Sequence, residues 1–170
     1  ETKGGNLEMS VLDAVLARAD ADLDAALDRL FATLRLKSIS TDPAYKADCR
    51  KAGEWLVSAL TELGFDASLR DTPGHPMVVA HHPGPEGATG PHLLYYGHYD
   101  VQPALKSDGW GTEPFELVHD TPTDRLIGRG STDDKGPIMG WINVLEAHKA
   151  LGLDVPVNLK FCFEGMEESG

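Results

Sequence analysis

Among the residues of this 170-residue chain whose types can hold metal ions or move protons, five lie beside a strand end or a helix start. His98 and Asp100 follow the apolar run His92-Leu-Leu-Tyr-Tyr-Gly97, Glu167 and Glu168 follow a run ending at Phe163, and Asp133 lies in the glycine-bounded loop 128–136. One imidazole with several carboxylates is a borderline-hard donor set, suited to zinc, manganese or cobalt rather than to calcium or an iron–sulfur cluster. Two adjacent glutamates offer one carboxylate to ligate and another to move a proton. A carboxylate between two ions, as Asp133 could be, uses both of its oxygens. Taken singly, each has an ordinary explanation: His98-X-Asp100 as a hydrogen-bonded surface pair, Asp133-Asp134 as a helix cap, Glu167-Glu168 as solvated side chains. Their shared position is what points to a metal centre, because functional crevices of open α/β sheets lie at the carboxyl ends of the strands.

The elements that must position them are legible in the periodicity. Apolar residues from Val11 to Leu34 recur with helical spacing over some six turns. A second helix is expected from about Pro43 to Leu63, closed by Gly64. Phe65 to Arg70 and Met77 to His81 read as a hairpin, His92 to Gly97 as a strand, and Phe115 to His119 with Arg125 to Gly128 as a short strand pair. A helix follows from Pro137 to Leu151, with Ile138, Met139, Trp141, Ile142, Leu145, His148 and Leu151 on its inner stripe, and a strand alternates from Val155 to Phe163. Strand, loop, helix and strand in that order form a crossover unit, so the sheet is at least partly parallel.

Composition narrows the function. A net charge of −12 argues against nucleic-acid binding, which needs a basic face. No apolar run approaches the roughly 20 residues of a membrane span, so no membrane partner is expected, and no secretory leader is read at the start. Two widely spaced cysteines, Cys49 and Cys162, suit a reducing cytoplasm. Asp20, Asp22 and Asp24 do not make a calcium loop, because the glycine and the closing glutamate are missing. Dinucleotide, phosphate-loop, His-Glu-X-X-His and Gly-X-Ser-X-Gly motifs are also absent. His75, His81, His82, His92, His119 and His148 are expected at the surface or satisfied, with Trp55 and Trp141 in the core and Trp110 at a cleft mouth. Arg129 and Lys135 flank Asp133, either neutralising its charge or merely exposed.

Three motifs together carry a family likeness. Tyr96-Gly-His-Tyr-Asp-Val-Gln-Pro103, Gly128-Arg-Gly-Ser-Thr-Asp-Asp-Lys-Gly-Pro137 and Phe163-Glu-Gly-Met-Glu-Glu-Ser-Gly170 resemble the carnosinase-like dipeptidases. These belong to a dinuclear zinc metallopeptidase family with glutamate carboxypeptidases, aminoacylases and succinyl-diaminopimelate desuccinylase. The resemblance implies an α/β fold: a three-layer αβα zinc-exopeptidase-like catalytic domain with a mixed, partly parallel sheet. It implies two divalent metal ions, zinc first, with manganese or cobalt as alternatives. By the same resemblance His98 binds the first metal, Asp133 bridges both and precedes a cis peptide bond, and Glu168 binds the second. The catalytic assignments fall on Asp100, which orients the His98 imidazole, and Glu167, the general base for a metal-bridged water attacking a dipeptide or short peptide.

Family members are considerably longer, with a later carboxylate and a later histidine as metal ligands and a lid domain that makes dimer contacts. The resemblance therefore implies that residues 9–170 are the N-terminal portion of the catalytic domain, without the lid. The full-length protein would be a homodimeric, cytoplasmic hydrolase, and this segment alone would be inactive. Residues 1–8 read as a vector-derived remnant. An N-acyl amino-acid deacylase with the same ligands, or a non-catalytic truncated or degenerate module, are the alternative readings.

Overall fold

Ser10 opens the first helix: its hydroxyl accepts the Asp13 amide while the Asp13 carboxylate accepts the Ser10 amide, a reciprocal cap. In the computed structural model, which describes residues 10–169, this helix (α1) spans Val11–Ala21. The vector-derived remnant expected at residues 1–8, Met9, and Gly170 of the third motif lie outside the described residues. The single helix expected up to Leu34 is instead two. Asp22 leaves helical geometry (φ −95°, ψ 10°), with its carboxylate clasped by Arg18 at 2.7 and 2.9 Å, and α2 restarts at Leu23–Leu34. Periodicity continues through such a joint because both helices present apolar stripes, so the break is invisible to spacing alone. No helix among the described residues is long and apolar enough to cross a membrane.

The Asp42 carboxylate caps the turn Pro43–Tyr45, which runs into α3, Lys46–Glu62. Gly64, at φ +91°, ends that helix in the left-handed geometry glycine tolerates. Strands β1 (Asp66–Arg70) and β2 (Met77–His82) form the expected hairpin. β3 (His92–His98), the ribbon β4–β5 (Val118–Asp120 with Arg125–Ile127), α4 (Lys135–Ala150) and β6 (Asn158–Glu164) follow. β6 starts three residues later than alternation predicts. Pro156 cannot donate to a ladder, and Val155 and Val157 pack on the core from outside the strand.

The main sheet has the order β1-β2-β6-β3, antiparallel except for the parallel pair β3–β6. The α4 crossover joins that pair, as the sequence order required. Its register sets His98 opposite Glu164, so the segments leaving both strands emerge side by side. One face of the sheet carries Val78, Ala80, Leu159, Phe161 and Phe163, buried under Leu56 and Leu60 of α3 and Ile138, Met139, Ile142 and Leu145 of α4. Trp55 and Trp141 pack at the margin of that core. The alternate residues Val79, Leu94 and Tyr96 are exposed, so among the described residues the helices cover one face only.

Candidate metal centre

His98 closes β3 and is buried. Nδ1 lies 3.4 Å from the Asp100 carboxylate and 3.2 Å from the Asp100 carbonyl, while Nε2 lies 2.9 Å from Asp133 Oδ1 and 3.8 Å from Glu167 Oε2. Burial opposes protonation of this ring. The hydrogen bonds and charge of Asp100, joined by Asp133, outweigh burial and raise its pKa to about 9.

Asp100 is fully buried and is the hub beneath the site. Its two oxygens accept the backbone N–H groups of Glu167 (3.2 Å) and Glu168 (3.0 Å). It thus caps the single turn Glu167–Ser169 that follows β6. Burial works to raise its pKa, but hydrogen bonds from His98, Ser40 and the Glu168 amide hold the carboxyl below its ordinary value.

Asp133 and Asp134 are joined by a cis peptide bond, as the resemblance implied. Asp134 does not cap α4 with its side chain; its Oδ2 instead accepts the His98 backbone N–H at 3.1 Å. Gly97 makes room for this: a Cβ there would stand 2.6 Å from Asp134 Oδ2. Gly136 has a similar role, since a Cβ would meet the Ser131 carbonyl at 1.9 Å and force the loop open. Lys135 neither flanks Asp133 electrostatically nor lies at the surface. It is buried, and its ammonium donates to the carbonyls of Thr33 (2.9 Å) and Leu36 (2.6 Å) where α2 ends. Burial pushes its pKa down to about 7.

Glu168 is steered by Gln102, whose amide donates to Glu168 Oε2 at 2.8 Å and to the Glu168 carbonyl at 3.2 Å. One ligand atom each from His98, Asp133 and Glu168 lies within 4.8 Å of the others. The Glu167 side chain stands next to them and is nearly half exposed. Three carboxylates thus surround a single imidazole, and Lys135, the nearest lysine in sequence, is spent on backbone carbonyls. A nitrogen and oxygen donor set with surplus negative charge fits a divalent cation of the zinc type.

The structure brings all five sequence-derived residues together. Sequence reasoning missed the supports Gln102 and Ser40, and gave Asp134 and Lys135 other roles, as a helix cap and a flanking charge. Gln102 and Asp134 sit inside the quoted motifs, so their neighbours signalled them; Ser40 carries no local signal because its contact with Asp100 is purely tertiary.

Comparison with known proteins fits this geometry. Residues 94–170, which contain all five side chains, match Peptidase family M20/M25/M40. The Cys-Gly metallodipeptidase DUG1 of Candida albicans is 46% identical over 155 residues, covering 85% of this chain and 32% of that protein. The solved structure of the di-peptidase Dug1p from Saccharomyces cerevisiae superposes with a TM-score of 0.87 at 37% identity, over 94% of this chain and 36% of that one. Human carnosine dipeptidase 1 gives a TM-score of 0.87 at 33% identity, over 95% and 36%. The chain spans about a third of the length of the curated relatives it matches. It is a homologue of the metallodipeptidases and belongs, through the segment bearing its candidate metal centre, to Peptidase family M20/M25/M40.

Proposed function

We propose that this chain is the N-terminal part of the catalytic domain of a metal-dependent hydrolase that cleaves dipeptides or short peptides. The observation that carries the reading is the convergence of His98, Asp133 and Glu168 within 4.8 Å, with Glu167 alongside. His98, Asp133 and Glu168 would be this chain's share of the ligands for two divalent ions, zinc first, with Asp133 contributing to both. Bound there, the ions would polarise the scissile carbonyl and supply a water of lowered pKa.

The chain's own residues do the rest. Asp100 fixes the His98 ring from behind and fixes the turn carrying both glutamates, so ligand and base are aimed by one buried carboxylate. Glu167, whose carboxylate accepts no hydrogen bond from Gln102, is the group left to take the water's proton and return it to the leaving amine. Among the described residues one cluster of three ligand side chains is formed, too few for two ions. These 170 residues alone are therefore expected to bind metal weakly and not to turn over substrate. The free thiols of Cys49 and Cys162 support a cytoplasmic setting.

The names of the relatives supply the first substrates to try, Cys-Gly and β-Ala-His. The test is metal content of the full-length protein with hydrolysis of both dipeptides assayed before and after chelation. Hydrolysis that disappears on chelation and returns with zinc, manganese or cobalt is expected; hydrolysis indifferent to chelation contradicts the reading.

A further inference from the structure

The hairpin turn 71–76 has no task in the hydrolytic reading, yet it stands at the edge of the sheet where the cluster lies. β2 runs antiparallel to β6 with Val78 opposite Phe163, so the turn that precedes β2 meets the segment that leaves β6. The contacts there are close. Tyr99 donates its hydroxyl to the Pro76 carbonyl at 2.6 Å, and a Cβ on Gly165 would collide with that hydroxyl and stand 2.8 Å from that carbonyl. A Cβ on Gly74 would collide with Met166 Sδ. The turn is therefore packed against the two residues that lead directly into Glu167.

His75 extends this contact to the floor of the cluster. Sequence alone casts it as a surface or satisfied histidine; the fold leaves it half-buried, with Nε2–H donating to the Ser40 carbonyl at 2.9 Å and Nδ1 enclosed without a partner among the described residues. A carbonyl can only accept, so the proton sits on Nε2. Ser40 is the joint. It is buried, its hydroxyl hydrogen-bonds the Asp100 carboxylate, and its Oγ lies 3.3 Å from Ser169 Oγ at the far end of the glutamate turn. The start of the same segment is held independently: Ser38 donates its hydroxyl to the Tyr99 carbonyl at 2.6 Å and accepts the Val101 amide at 2.9 Å. His75 thus secures the end of segment 38–40 that reaches Asp100.

The geometry points to His75 as a positioning residue of the hydrolytic site, acting from the β1–β2 turn through Ser40 on the turn that carries Glu167 and Glu168. Its ring makes no hydrogen bond to any of the five cluster side chains, so what it sets is their aim. Without the His75 bond the Ser40 carbonyl is free to turn and its hydroxyl leaves Asp100 or Ser169, which loosens the turn they hold between them. A base displaced by about 1 Å loses on the order of tenfold to 100-fold in rate while every ligand remains in place. This inference rests on the proposed peptidase reading.

The experiment uses the full-length protein. His75→Leu, which keeps the bulk and cannot donate, is expected to lower kcat for Cys-Gly or β-Ala-His about tenfold with KM and metal content unchanged. His75→Gln, which restores a donor, should recover most of that loss. In a Ser40→Ala background the same His75→Leu change should have no further effect, because the hydroxyl it aims is gone. Hydrogen exchange of the metal-free protein reads the brace without turnover: the Glu167 and Glu168 amides should exchange about tenfold faster in His75→Leu, and the amides of β3 and β6 at the wild-type rate. Wild-type kcat and exchange in His75→Leu, or a loss that multiplies with that of Ser40→Ala, overturns the proposal. Faster exchange spread over β3 and β6 also overturns it, since that marks a general loss of stability. A wild-type protein that hydrolyses neither dipeptide strikes the peptidase reading instead, and the exchange rates then still decide whether His75 holds the turn.

Discussion

The floor and the rim of the metal cluster are built from the same residue types and obey opposite physics. The floor is Asp100, fully buried and committed to the His98 ring, the amides of Glu167 and Glu168, and Ser40. The rim is Asp133, Glu167 and Glu168, which face the solvent to varying degrees and have few protein partners. A buried carboxylate with every lone pair engaged is part of the fold. Clustered, half-solvated carboxylates repel one another and wait for a cation. The difference teaches that one carboxylate can carry stability while its neighbours carry function.

Several substitutions can break or sharpen that contrast. Asp100→Ala should cost about 3 kcal/mol of unfolding free energy, since two amides and an imidazole N–H lose their acceptor in a dry site. Chemical denaturation of the metal-free chain measures it. Equal stability in Asp100→Ala and Asp133→Asn would erase the distinction. At the rim, Glu168→Gln should leave metal-free stability within about 0.5 kcal/mol but lower metal affinity in the full-length protein about 100-fold.

The pH dependence has a definite sign. With its pKa raised from 6.5 to about 9, metal-free His98 is protonated at neutrality. Its contribution to metal-free stability is full below pH 6.5 and is lost as pH rises through 9. Metal must displace that proton, so affinity should climb about tenfold per pH unit below 9 and then flatten. Calorimetry in buffers of different ionisation enthalpy should count close to one proton released per ion bound at His98 near pH 7.5. Zero release would show that the ring is already neutral. The smallest effect is expected for Gln102→Leu, which frees the Glu168 carboxylate to rotate and should weaken metal binding about tenfold without changing the fold.

Much of this was legible in the sequence, for identifiable reasons. Alternation and helical spacing located β3, α3, α4 and β6, because each has one buried face. The parallel β3–β6 pairing followed from the order of elements. The break at Asp22 and the late start of β6 were not legible, since a clasp by Arg18 and a missing proline N–H act without altering apolar spacing. Around the site, His98, Asp100, Asp133, Glu167 and Glu168 were found because strand ends gather them. Lys135 was misjudged because a lysine beside two aspartates suggests an ion pair, and only the fold shows its ammonium at the end of α2. The open second face of the sheet was equally hidden, because Leu94 and Tyr96 are as apolar as core residues.

The central claim is that one glutamate of the adjacent pair moves a proton while the other holds metal. The most direct measurement is metal content and dipeptide hydrolysis of full-length Glu167→Gln beside Glu168→Gln. The account predicts that Glu167→Gln keeps the wild-type metal content and loses hydrolysis, on the order of 100-fold or more, whereas Glu168→Gln loses metal. Metal lost from Glu167→Gln, or hydrolysis retained by it, would contradict the account.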